Sequence, residues 1–195
     1  MDPRLASLFR GMSNADPAPV RVKPMPIQVL HHAQGAISLA PTVLLNCTID
    51  MAWIAFFYLL RPGEYCKSQD NTPLCLKDVS CSIGHRKLHI LLCTHQELDC
   101  ATQSSLTFDN QKNRERGETI GHTTSGHSVA CPTRALVRRI RYLRLAGASP
   151  TTPLCAARPG QKWIAVTSKA VSAILKTSAA ALPELEISQG YNREY

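Results

Sequence analysis

Residues 43–65 read VLLNCTIDMAWIAFFYLLRPGEY, and this stretch decides the fold of the chain. An almost unbroken apolar run ends in Arg61 and Pro62. A helix that is apolar on nearly all sides is typical of a buried core helix. Thr42 is a good N-cap for it, and Pro62 disfavours helix in the residue before it, so we predict a helix from about Thr42 to Leu60 or Arg61.

Arg61 leaves this predicted helix as a guanidinium held at the end of a rigid element. A fixed fork of donors that is always charged suits an oxyanion such as a phosphate. The alternative is an ordinary helix end with a surface arginine. A membrane span is a second alternative for residues 42–60, but Asp50 in the middle would cost about 2.5–3.5 kcal/mol on insertion scales. We therefore expect no membrane partner.

The positive charge is concentrated in the second half of the chain. The 195 residues carry a formal charge of +8, with about +1 in residues 1–100 and +7 in residues 101–195. A basic half indicates a polyanion, nucleic acid before membrane. The proline clusters of residues 16–26 indicate a border, so we expect residues 1–23 to be a tail or linker and residues 24–195 to form the domain.

Eight cysteines are present, and the polar N-terminus carries no secretory pattern. We expect reduced and mostly buried thiols. A small zinc module is the less favoured alternative, because no Cys-x-x-Cys pair occurs and His85, His89 and Cys93 lie in a segment that reads as a strand or turn. We predict no metal and no cofactor.

The rest of the chain predicts an α+β domain that is mainly helical. We expect helices at residues 27–36, 132–146 and 168–182, short strands near Leu74–Val79 and Leu88–Leu92, and a hairpin in which Leu106 and Phe108 lead through a charged turn to Thr119 and Ile120. The helix at 132–146 contains five arginines and no acid. We therefore expect a face of unpaired arginines that contacts phosphates, formed by Arg134, Arg138 and Arg141 and widened by Arg139 and Arg144.

Four sequence blocks carry a family resemblance. They are the apolar helix leading into Leu-Leu-Arg-Pro-Gly-Glu-Tyr, then Gln111-Lys112-Asn113, then Arg-Gly-Glu-Thr-Ile-Gly at 116–121, and then Cys-Pro-Thr-Arg-Ala-Leu at 131–136. In this order they resemble the catalytic domain of tyrosine recombinases, the phage-integrase family, and most of all integrase-like proteins of eukaryotic mobile elements. The resemblance covers about residues 24–190, and it likens residues 1–23 to the end of a DNA-gripping helical domain.

The resemblance implies a function and site residues. Tyrosine recombinases cut and rejoin DNA through a tyrosine–phosphate intermediate without metal or ATP. The resemblance assigns Arg61 and Lys112 to the catalytic phosphate site, with Glu64 orienting the arginine. Backbone contacts to duplex DNA would come from Arg114, Arg116, Arg134, Arg138 and Arg141. It also implies an assembly of several copies on DNA and, for a eukaryotic mobile element, a nuclear location.

The sequence departs from the family pattern at one essential point. No His-x-x-Arg box follows Lys112, and neither Tyr191 nor Tyr195 has the expected histidine and second arginine before it. Because groups that stabilise a transition state cannot replace a nucleophile, we expect DNA binding without strand cleavage. The alternative is a non-enzymatic adaptor that binds nucleic acid through the same basic helix.

Overall fold

A computed structural model describes residues 25–39, 41–66, 73–108 and 117–183 of the chain. Its α+β architecture confirms the fold class predicted from the sequence. The described residues form six α-helices, which are α1 Ile27–Leu39, α2 Val43–Tyr58, α3 Pro62–Tyr65, α4 His95–Asp99, α5 Pro132–Leu145 and α6 Ser168–Ala180. They also form six strands, β1 Val79–Ile83, β2 Arg86–Lys87, β3 Gln103–Phe108, β4 Glu118–Thr123, β5 Ala156–Ala157 and β6 Ile164–Ala165.

Helix α2 is the centre of the core, as its apolar sequence predicts. Its N-terminus is capped by Thr42, whose Oγ1 accepts the Leu45 N–H at 3.1 Å. Trp53 and its neighbours on the helix are fully buried. The helix ends at Tyr58, two residues before the earlier of the two predicted ends, because Leu59 adopts a left-handed conformation with φ of 53°. Among the described helices, none combines the length and apolarity that a bilayer span requires.

Four strands form an antiparallel sheet in the order β2-β1-β3-β4. Its inner face packs on α2 and α5. The buried rows on that face are Val79 opposite Leu106 and Cys81 opposite Ser104. Tyr58 of α2 ties the inner face to the core, because its hydroxyl lies 2.8 Å from Ser104 Oγ. The sheet is therefore fixed to the same helix that delivers Arg61.

Helix α5 begins at the predicted residue and ends at Leu145, one residue before the predicted end. Pro132 occupies the first turn, and Gly147 follows the last turn with φ of 79°, a conformation that favours glycine. Leu136, Ile140 and Leu143 are fully buried and form the predicted core stripe. Helices α1 and α6 pack against each other and against α2. The predicted helices at 27–36 and 168–182 are confirmed, with α1 three residues longer and α6 two residues shorter.

Several predicted local structures are wrong in detail. Residues 88–92 form a turn, and the chain around Leu76 forms a 3₁₀ helix, although both segments alternate like strands. Strand β4 extends beyond Thr119 and Ile120 of the predicted hairpin and ends at Thr123. The short helix α4 was not predicted, because five residues are too few for a helical period to appear in the sequence. Tertiary contacts decide such short elements.

Candidate nucleic-acid interface

Arg61 stands at the exposed end of the central helix. Leu59 turns the chain with its left-handed backbone, Leu60 is buried, and Arg61 then caps helix α3. Its side chain is 57% exposed. The buried helix and the short capped turn therefore hold the backbone of Arg61 on both sides, while the guanidinium faces solvent.

Glu64 stabilises the Arg61 turn mainly through the backbone. Glu64 Oε2 accepts the Arg61 N–H at 2.7 Å, and the Glu64 N–H donates to the Arg61 carbonyl at 2.9 Å. Its other carboxylate oxygen lies 4.0 Å from Arg61 Nη1, which is a loose contact. Glu64 thus orients the residue without saturating the guanidinium, most of whose five N–H donors have no close partner among the described residues.

The predicted hairpin residues Lys112, Arg114 and Arg116 lie outside the described residues. They belong to the connection between β3 and β4, which pair along their whole length from Gln103 opposite Thr123 to Phe108 opposite Glu118. The position of Lys112 relative to Arg61 remains a prediction.

Arg134 and Arg141 of α5 meet at the end of helix α4. Arg141 Nη1 donates to both carboxylate oxygens of Asp99, at 2.9 and 3.0 Å. Arg134 Nη1 donates to the backbone carbonyl of the same residue. The Arg141 and Asp99 side chains are 41% and 45% exposed, so this ion pair lies in solvent and contributes little to stability.

Arg138 has a different partner and binds Asp50 of the core helix α2. Its Nε donates to Asp50 Oδ1 at 2.6 Å, and its Nη2 is buried without a partner among the described residues. Burial raises the pKa of Asp50, and the nearby Arg138 opposes that rise. The prediction that the arginines of this helix are unpaired is therefore wrong for Arg138 and Arg141, because carboxylates from α2 and α4 supply the partners that α5 lacks.

Arg139 does not widen the predicted basic face. It is only 1% exposed and donates to the carbonyls of Leu154 and Ala156 at 2.6–3.0 Å. Its guanidinium carbon lies 4.9 Å from the Tyr142 ring centroid. Arg144 is partly exposed and makes a long contact of 3.7 Å with Cys93 Sγ. The helical period of the sequence predicts that Arg139 lies beside the exposed arginines. In the structure residues 154–156 pack against its side chain and bury it.

Under the sheet lies a buried polar network that the sequence analysis did not identify. Ser104 Oγ donates to Thr133 Oγ1 at 3.0 Å, and Thr133 Oγ1 lies 3.5 Å from the His122 carbonyl. The His122 ring packs edge-on against Tyr58 with its centroid at 4.7 Å. Burial raises the pKa of the Tyr58 phenol far above its ordinary value. The network ties α2, β3, β4 and α5 together, so its evident role is to fix the sheet.

The thiols behave as structural groups. None of the eight cysteines, which all lie among the described residues, forms a disulfide, and Cys100 is exposed while the others are buried. This confirms the prediction of mostly buried thiols. Burial raises the pKa of Cys47, Cys66 and Cys81 to about 12. In the part of the chain that the structure describes, no three His, Cys, Asp or Glu side chains come together as metal ligands.

Comparison with known proteins adds no family to this geometry. No family model, no curated protein and no solved structure matches the chain.

Proposed function

We propose that this chain binds duplex DNA through its phosphates, with Arg61 as the principal contact. The observation that carries the proposal is the state of the Arg61 side chain. It is 57% exposed at the end of a buried helix, and Glu64, its one carboxylate neighbour in the part of the chain that the structure describes, holds the backbone N–H more closely than the guanidinium. A guanidinium that is positioned but not neutralised is the group that a phosphate recognises in bidentate geometry.

The α5 arginines support the proposal more weakly than their number suggests. Arg134, Arg138 and Arg141 are held by Asp99 and Asp50, and each has donors left over because a guanidinium carries five. Arg144 is partly exposed as well, so four guanidinium groups at this surface meet two carboxylates among the described residues. The local excess of positive charge attracts a polyanion, while contacts of this kind are blind to sequence.

The resemblance to tyrosine recombinases gives this proposal its chemical context. In that reading Arg61 binds the phosphodiester that the family cleaves, Lys112 protonates the leaving 5′ oxygen, and the chain acts in the nucleus as one of several copies on DNA. The adaptor alternative shares the DNA binding and lacks the chemistry. A suicide DNA substrate separates the two, because only recombinase chemistry leaves a covalent protein–DNA adduct.

The test of DNA binding is a salt titration of fluorescence anisotropy with a labelled duplex. Affinity should fall steeply as salt rises, since each phosphate contact contributes a slope of about −0.9 in log K against log salt. Arg61→Gln should weaken binding about fivefold and reduce the slope by about one contact.

Arg86→Gln is the matched control, because Arg86 is 60% exposed and is engaged by Glu97 in an ion pair of 2.9 Å. It loses the same charge from a neutralised site, so its affinity should stay close to that of the wild type. Affinity that ignores salt, or equal losses from the two substitutions, would reject the proposal.

A further inference from the structure

The described chain beyond β4 is basic and contains no acidic residue. Residues 119–183 hold nine lysine and arginine residues and no aspartate or glutamate. Asp50 and Asp99 pair with two arginines of α5. Farther along the chain, no carboxylate among the described residues forms an ion pair with Arg158 or Lys162. The positive charge of these two side chains therefore attracts an anionic ligand.

A partly exposed tryptophan lies in the hairpin that carries these two cations. Strands β5 and β6 pair Ala157 with Ile164, and Trp163 comes directly before β6. Trp163 is 38% exposed, whereas Trp53, the other tryptophan of the chain, is fully buried. Tryptophan and arginine are both enriched where proteins contact their partners. The hairpin is therefore a candidate contact surface.

Arg158 packs against the Trp163 ring. Its guanidinium carbon lies 5.7 Å from the ring centroid, which is within the range of a cation–π contact. The guanidinium is also positioned, because Nη1 donates to the Ala146 carbonyl at 2.9 Å and Nε donates to the Gln161 carbonyl at 3.3 Å. Carbonyl oxygens orient this charge without neutralising it. The hairpin therefore presents an oriented cation and an aromatic ring side by side.

The tip of the hairpin is open. Gly160 and Lys162 are exposed, and a Cβ added at Gly160 would meet no atom within 4 Å. A ligand can therefore approach the Trp163 ring from the tip and meet the Lys162 ammonium beside it.

We propose that the β5–β6 hairpin binds single-stranded DNA, with one base stacked on the exposed part of the Trp163 ring and the flanking phosphates bound by Arg158 and Lys162. Proteins that bind single strands combine positive charge along the backbone with aromatic rings on which bases stack. The choice of DNA over RNA rests on the proposed function. The stacking site itself is independent of Arg61.

Other ligands match the hairpin less well. The bases of an intact duplex are stacked on one another, so they cannot reach an exposed ring. An acidic polypeptide would satisfy the two cations, but a carboxylate side chain has no flat face to cover the Trp163 ring. A single strand supplies both the phosphate and the base.

Tryptophan fluorescence of the full-length chain tests the inference. Oligothymidylate should quench the emission of Trp163 by stacking, while Trp53 in the core should be unaffected. An oligomer of the same length with abasic sites keeps every phosphate and loses the bases. It should bind about tenfold more weakly and should not quench. Equal affinity for the two oligomers would overturn the inference.

Variants of the hairpin give a second readout. Trp163→Ala should weaken oligothymidylate binding about tenfold. Ile164→Ala is the matched control, because Ile164 is 39% exposed and alternates to the other side of the strand, so the affinity should stay unchanged. Lys162→Gln should reduce the salt slope by about 0.7, the contribution of one phosphate of a single strand. If Trp163→Ala lowers the melting temperature, the abasic comparison decides alone, because it changes only the ligand.

The outcomes separate this inference from the proposed function. Trp163→Ala should leave duplex affinity unchanged, and Arg61→Gln should leave the quenching by oligothymidylate unchanged. A chain that binds duplex but not oligothymidylate keeps the proposed function and overturns the hairpin site. Tighter binding of oligouridylate would assign the site to RNA, and binding of polyglutamate in place of oligothymidylate would assign it to an acidic protein. Either result overturns the inference.

Discussion

At the residue scale, Arg139 shows how one buried side chain can hold two segments of the chain together. Its Nε and Nη2 donate to the Leu154 carbonyl at 3.0 and 2.8 Å, and Nη2 also reaches Ala156 at 2.6 Å. These carbonyls belong to an irregular segment that leads into β5, and burial removes them from water. A charged donor is costly to bury, and here its Nε and Nη2 offset that cost with three hydrogen bonds to backbone carbonyls.

Replacing this side chain should lower the stability of the protein strongly. Arg139→Met keeps the volume, removes the side-chain donors to the buried Leu154 carbonyl and leaves the Ala156 carbonyl with the long 3.8 Å contact from Cys47 Sγ, so we expect the free energy of unfolding to fall by about 3 kcal/mol. Arg144→Met, at a partly exposed position of the same helix, should change it by less than about 0.5 kcal/mol. Urea unfolding of both variants measures the difference. Equal losses would show that the hydrogen bonds of Arg139 do not stabilise the fold.

At the element scale, helix α4 has only five residues and is stabilised by a capping box at its N-terminus. Thr94 Oγ1 accepts the Glu97 N–H at 3.1 Å, and Glu97 Oε2 accepts the Thr94 N–H at 2.8 Å. Arg86 adds an ion pair from the β-hairpin. The hydrogen bond from the Thr94 backbone, with Arg86, lowers the pKa of Glu97. A short helix is thus fixed by its end rather than by its length.

The lowered pKa of Glu97 determines whether the stability of the protein rises or falls with pH. A carboxylate with a depressed folded pKa stabilises the native state above its unfolded pKa, which for glutamate is about 4.3, and loses that contribution as pH falls through the folded pKa. Glu97→Gln should therefore be less stable than the wild type at neutral pH, and the gap should close in acid. Thermal unfolding between neutral and acidic pH measures it, and a gap that widens in acid would contradict the assignment.

At the scale of the whole molecule, the Asp50–Arg138 pair joins the two helices that build the core. The Asp50 side chain is 12% exposed and that of Arg138 is 34% exposed, so the pair lies at the border of the core. Breaking a buried pair from one side leaves the other charge unmatched. The contact therefore couples α2, which positions Arg61, to α5 and its arginine side chains.

A double-mutant cycle should measure this coupling. Asp50→Ala alone should lower the free energy of unfolding by about 2 kcal/mol. This is less than the loss expected when a fully buried ion pair is broken. Arg138→Ala and the double variant should reveal a coupling energy of about 1–2 kcal/mol. The exposed Asp99–Arg141 pair is the matched control and should couple by no more than about 0.5 kcal/mol. Equal coupling in both pairs would show that burial does not decide the strength of the contact.

The sequence alone determined the fold class and the longer elements. The apolar run after Thr42, the proline and glycine around α5 and the helical spacing of Leu136, Ile140 and Leu143 are local signals, and each appears in the structure as predicted. Short pieces such as β5, β6 and α4 carry too few residues to show a period. β5 and β6 exist because they pair with each other, and α4 is fixed by its capping box and by the ion pair between Glu97 and Arg86.

Only the tertiary structure decided what each arginine does. Arg138 and Arg139 are adjacent in sequence, yet one pairs with Asp50 at the core border and the other is covered by the chain at 154–156. Helical and strand periods assign a side chain to a face of its own element, whereas its partner lies 15 to 88 residues away and is set by packing.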